Sequence, residues 1–183
     1  SIGAKSIVRP DQSALRANDI VSGGRYAVTY DGTNFQLLGA DNNQSGSFTP
    51  TLTFATPGDL SVSYAEQEAN WRRDGDLVFV NIHVIATPTH TTASGALEIG
   101  TLGVAAENTD MADTVNLLSA QVSGTGVTYD TGMSYIFGYA QPGATAVKLL
   151  QGGSGKTTAS IDASNCGTGS QITLRIHGVY LAS

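Results

Sequence analysis

The stretch Leu77-Val-Phe-Val-Asn-Ile-His-Val-Ile85 decides the fold class. Val78, Val80, Ile82 and Val84 recur at every second position, and a period of two places them on one face of an extended chain. All four are β-branched, which suits a pleated strand better than a helix. Just before them Arg73-Asp74-Gly75-Asp76 supplies turn residues, so the strand begins as the second arm of a hairpin.

The same pattern recurs outward in both directions. Arg25 to Tyr30 alternates Tyr26, Val28 and Tyr30, Asp31-Gly32-Thr33-Asn34 turns the chain, and Phe35 to Leu38 returns. Thr51 to Phe54 and Leu60 to Tyr64 flank a Pro-Gly-Asp turn. Further strands are predicted at Ala96–Ile99, Val115–Leu118, Ser134–Tyr139, Ala144–Leu150, Thr157–Ile161 and Gln171–Leu181. Helical periodicity is nearly absent. Asp11 to Asn18 suits one or two turns, and Ala65 to Trp71 is helix-compatible by propensity alone. Many short strands separated by Gly, Pro, Asn and Ser predict an all-β chain. The expected architecture is a jelly-roll-like antiparallel β-sandwich head over about 45–183. A short β-hairpin neck over about 1–44 precedes it, with the polar run Asp41 to Ser47 between the two.

Composition narrows the function. The 183 residues include only 13% charged side chains, about half the usual share. Hydroxyls and amides solubilise the surface instead, as in exported or viral β-proteins. A net charge of −6 argues against a nucleic-acid backbone or an anionic membrane as partner. No apolar run approaches the roughly 18 residues of a membrane span, and Ser1 opens no signal-peptide pattern. Cys166 is the single cysteine, so no internal disulfide and no thiolate metal cluster can form.

Several stretches mimic reactive sites. Gln151 to Thr158, QGGSGKTT, contains the Gly-Lys-Thr of a phosphate loop, but Leu150 occupies the first glycine position and no helical stripe follows. A glycine-rich hairpin tip is the expectation. His83, His90 and His177 lack metal-ligand spacing; His83 and His177 fall opposite the apolar faces of their strands, where a solvated face or a subunit contact would place them. If the chain trimerises, one histidine on the axis would still make a three-ligand site. The acid pairs Asp110/Asp113, Glu66/Glu68 and Asp74/Asp76 read as surface rather than as a hydrolytic pair. No G-x-S-x-G elbow is present. No catalytic residue, metal or cofactor is therefore expected. The aromatic residues Tyr64, Trp71, Tyr129, Tyr135, Tyr139 and Tyr180 are numerous against so few charges; exposed rings stack on sugars, while most rings of such a chain fill the sandwich core or a subunit interface.

Four stretches in order resemble bacteriophage tail-fibre and tail-spike receptor-binding chains. They are GGRYAVTYDGTNFQLL (Gly23–Leu38), GSFTPTLTF (Gly46–Phe54), SVSYAEQEANWRRDGDLVFVNIHV (Ser61–Val84) and the closing ITLRIHGVYLAS. The resemblance implies a homotrimeric, non-enzymatic fibre in the phage tail. Its distal head would attach the virion to a host receptor, a surface glycan, and its N-terminus would join other tail proteins. It also implies that Ala65 to Trp71 is strand. Trp71, Tyr129 and Tyr139 are the expected ring-stacking residues and Lys156 the expected cationic contact. Loops Thr87–Ser94, Glu107–Asp113 and Gln151–Lys156 are expected to cluster at exposed ends. A virion decoration protein that binds only other virion proteins is the alternative reading.

Overall fold

The computed structural model describes residues 4–10, 12, 14–15, 20, 25–38, 44–106, 116–140 and 142–181. Most of the predicted helical turn at Asp11–Asn18 and all of the loop Glu107–Asp113 lie outside them. The chain divides into two compact units, Ser1–Gln44 and Ser45–Ser183.

The first unit holds a three-stranded sheet in the order β1-β3-β2, from β1 (Ile7–Val8), β2 (Ala27–Tyr30) and β3 (Phe35–Leu38). β2 and β3 form the predicted hairpin, and β1 adds to β3 in parallel. Asp31 makes the turn. Its carboxylate accepts the backbone N–H groups of Thr33 and Asn34, both at 2.8 Å, and the side-chain amides of Gln12 and Gln36. Four donors converging on one carboxylate stabilise its charged form and hold its pKa well below the usual range.

The second unit is built on one continuous antiparallel ladder in the order β4-β6-β7-β13-β9-β10-β11-β8-β5. Its strands are β4 (Gln44–Phe48), β5 (Thr51–Thr56), β6 (Ser61–Asp74), β7 (Leu77–Thr89), β8 (Ser94–Gly100), β9 (Leu117–Ser123), β10 (Tyr135–Ala140), β11 (Val147–Gly152) and β13 (Ile172–Leu181). The two-residue β12 (Ala159–Ser160) pairs with β11. The all-β expectation holds. β6 and β7 form the long hairpin that the Asp-Gly turn predicted, and Ala65 to Trp71 lies within β6. Two features differ from the sequence reading. Gln44 to Phe48, read mostly as linker, is a strand, and a short 3₁₀ turn occupies Ala163–Asn165.

Alternation fills the core. Val78, Val80, Ile82 and Val84 of β7 are all buried, together with Ile172, Leu174 and Ile176 of β13 and Leu52 and Phe54 of β5. The ladder curls until side chains of β6 reach the backbone of β5 and of Pro50 just before it. The Tyr64 hydroxyl accepts the Leu52 N–H at 2.8 Å, and the Gln67 amide donates to the Pro50 carbonyl at 2.9 Å. An edge strand with open backbone groups invites pairing with another chain, and these two side chains occupy part of it.

Tyr180 is one of the aromatic rings that fill the core, and it is fully buried. Its hydroxyl donates to the Val104 carbonyl at 2.7 Å, and burial raises its pKa. Cys166 is buried too, and desolvation, helped by the nearby charge of Asp162, pushes its thiol up to about 12. A thiol that stays protonated is a poor nucleophile. At pH 8 the folded chain should react with a thiol-specific reagent at least about 100-fold more slowly than the chain in denaturant. Equal rates would show that Cys166 is accessible.

Candidate functional site

One end of the second unit is a set of loops tied together by hydrogen bonds. Asp59 accepts the N–H groups of Thr91 and Thr92, the Gly169 N–H donates to the Pro88 carbonyl, and His90 contacts the Cys166 carbonyl through Nε2 at 3.1 Å. Thr128 N–H donates to the Asn165 carbonyl at 2.8 Å, and Ser134 N–H to the Gly152 carbonyl at 2.8 Å. The predicted loops at Thr87–Ser94 and Gln151–Lys156 thus belong to one bonded set, linked through residues 163–170.

Within it the QGGSGKTT stretch is a tight structural hairpin. Gln151 is fully buried and faces inward with Val147 and Leu149, so it does not belong to the exposed loop in which the sequence placed it. Its amide donates to Asp130 Oδ2 at 2.8 Å and to the Ser160 carbonyl at 3.0 Å, while its oxygen accepts the Asp130 N–H at 2.9 Å. Asn165 donates to the other Asp130 oxygen at 2.8 Å. Gly152 lies under the Tyr135 ring, and Gly153 lies against the Gly132 carbonyl oxygen. The glycines admit a neighbouring loop at backbone distance; that packing accounts for them. Lys156 is exposed, and its aliphatic end passes over Gly132.

The four expected contact residues are not gathered together. Tyr129 and Lys156 lie on the two loops just described, both exposed. Tyr139 is half-buried on the outer face of β10. Trp71 is half-buried and packs against the core, with Gly46 and Gly103 against its indole.

What the fold does gather is a row of polar groups on the outer face of β6, β7 and β13. Register sets Glu68 opposite His83, and His83 opposite Arg175; the next row sets Asn70 opposite Asn81, and Asn81 opposite His177. These side chains line an open groove of about 380 Å³. Glu66 accepts from His83 Nδ1 at 3.1 Å, and the Asn81 amide donates to Asn70 at 3.3 Å. His83 Nε2 is shielded from solvent and has no hydrogen-bond partner among the described residues. Phe79 precedes Asn81 by two positions on β7 and is 44% exposed, so a ring flanks the amides. Asn, Arg and His beside an aromatic face can satisfy hydroxyls and an anionic substituent while the ring covers an apolar sugar face. Sequence reasoning put His83 and His177 on this face but missed Arg175, Asn81 and Phe79. The signal was present, since pairing the alternating strands β7 and β13 antiparallel brings them together. Among the described residues no group of three or more His, Cys, Asp or Glu is placed to hold a metal ion.

Comparison with known proteins gives one informative result. No protein-family model and no curated protein sequence matches the chain. Among solved structures, the Dettilon tailspike protein matches with a TM-score of 0.56 at 13% sequence identity. The fold resembles part of a phage tailspike. The match covers 99% of this chain and 30% of that one, so this chain corresponds to under a third of the tailspike's length. At that identity the likeness is one of fold alone.

Proposed function

We propose that the chain is a non-enzymatic receptor-binding protein of a phage tail, homotrimeric, which attaches the virion to a host-surface glycan. The observation that carries the reading is the polar groove on the β6-β7-β13 face beside Phe79. The tailspike-like fold supports the setting. A flat, open groove binds weakly at one site, and three copies on one particle would raise the effective affinity by avidity. Binding alone is the proposed role, with no bond made or broken.

The test is adsorption of the labelled protein to host cells and to a glycan array. Arg175→Ala and Phe79→Ala should each lower binding roughly tenfold or more, the loss of one charge-assisted hydrogen bond or one stacked ring. Tyr129→Ala and Lys156→Ala separate the loop end from the groove. Full binding by both groove variants would remove the groove from the site. Absence of binding by the unmutated protein to any host cell or glycan would remove the attachment reading itself, and release of reducing sugar would overturn the non-enzymatic part. The alternative, a decoration protein that binds other virion proteins, is favoured by the exposed Leu77, Phe79, Leu117 and Tyr135 on the outer strand faces. Capture of purified virions but not of host cells would select it.

A further inference from the structure

The side-chain amides of Gln67, Gln151 and Asn165 are all bonded within the second unit. Four polar side chains on the outer face of β13 and β9 are not. Arg175 stands directly opposite Gln121, and His177 directly opposite Ser119. Such pairs share a sheet face with Cβ atoms about 5 Å apart, and residues two apart on one strand lie about 7 Å apart. All four residues are exposed. None of the four side chains has a hydrogen-bond or ion-pair partner among the described residues. Leu174, Ile176 and Leu118 point the other way and are buried, so the backbone beneath the four is anchored in the core. Guanidinium, imidazole in either protonation state, hydroxyl and amide each supply a donor. No carboxylate stands among them.

We infer that this quartet seats an anionic substituent, a carboxylate or a phosphate monoester, carried by the sugar that binds the face. The inference rests on the attachment reading for its carrier and adds the chemical class of the ligand. The planar fork of a guanidinium matches two oxygens of either group. The competing charges are Glu66 and Glu68 on β6, and His83 stands between Glu68 and Arg175 with its Nδ1 bonded to Glu66. Two ladder steps, about 10 Å, separate β6 from β13. That exceeds the screening length of about 8 Å at physiological salt. An anion in contact with Arg175 therefore feels the cation far more strongly than the two acids. Phe137 of β10 is half-buried and directly opposite Ser119, where its ring can cover the apolar face of the sugar that carries the anion. A neutral sugar would leave the guanidinium to water, so the site discriminates by charge.

Nuclear magnetic resonance titration of the full chain with glucuronate, glucose 6-phosphate, inorganic phosphate and glucose tests it. Glucuronate and glucose 6-phosphate should shift the backbone amides of Ser119, Gln121, Arg175 and His177. A dissociation constant of about 1 mM is expected for one charge-assisted contact on an open surface. The tighter of the two names the anion. Inorganic phosphate should shift the same amides more weakly, because it lacks the ring, and glucose should bind at least about tenfold more weakly than glucuronate. Arg175→Gln should weaken both acidic sugars at least about tenfold, whereas Arg175→Lys keeps the charge without the fork and should lose only about threefold. Arg175 is exposed, so both variants should melt with the unmutated chain, which separates lost binding from lost folding. Glucose binding as tightly as glucuronate, or acidic sugars that bind Arg175→Gln unchanged, would overturn the anion seat and leave the attachment reading intact. Acidic sugars bound at these amides by a chain that adsorbs to no host cell or glycan would keep the seat and remove the attachment reading.

Discussion

Replacing Gln151 with alanine is expected to lower folding stability by about 2–4 kcal/mol, from a lost buried volume and a broken polar network. For a chain of this length that corresponds to a fall in melting temperature of about 6–12 °C. The side chain has no exposed surface, and its three hydrogen bonds join β11 to the Asp130 loop and to β12. Truncation strands the Ser160 carbonyl and removes two contacts from Asp130, which then keeps Asn165 as its side-chain donor. A second substitution separates packing from bonding. Gln151→Met keeps the volume and drops the hydrogen bonds, so it should still cost about 1–3 kcal/mol. A neutral Gln151→Met in thermal or urea unfolding would show that the network contributes nothing to stability.

The second large effect concerns the glycines beside it. Gly153→Ala should destabilise by about 2–4 kcal/mol, because the new methyl would overlap the Gly132 carbonyl oxygen, a backbone atom that cannot rotate away. Gly155→Ala is a contrasting case. A Cβ at Gly155 meets nothing within 4 Å, and its φ of +69° leaves a conformational cost alone, about 1 kcal/mol. The ordering is the test: a loss at Gly155 equal to or above that at Gly153 would mean that the two loops are not packed as described. A nucleotide loop would behave differently, since its glycines make room for a ligand rather than for another loop of the same protein.

How much of this was legible depends on whether the cause is local. β7, β13 and the hairpin β2–β3 could be read directly, since alternation and turn chemistry act within a few residues. β4 could not, because Gln-Ser-Gly-Ser-Phe carries no apolar alternation; β6 recruits it, and Gly46 lies against the Trp71 indole. Tyr180 and Gln151 share parity with buried neighbours, Ile176 and Leu149, and that parity was visible. What was missing was their bonding partner. Val104 lies 76 residues from Tyr180 and Asp130 lies 21 residues from Gln151. Without the partner, a polar residue near a turn reads as exposed. Ring count likewise does not say which rings face inward.

Read alone, the sequence determined that this protein is built of strands, where most of them lie, and that QGGSGKTT lacks the first glycine and the following helix of a phosphate loop. Period two, turn residues and the missing helix are all properties of neighbouring residues. The tertiary structure decided the strand order and the surfaces that follow from it. Arg175 comes to lie beside His83, and His177 beside Asn81, through hydrogen bonds between strands about ninety residues apart in the chain. Register across such a separation is set by burial of one face of each strand, and no short stretch of the chain encodes it.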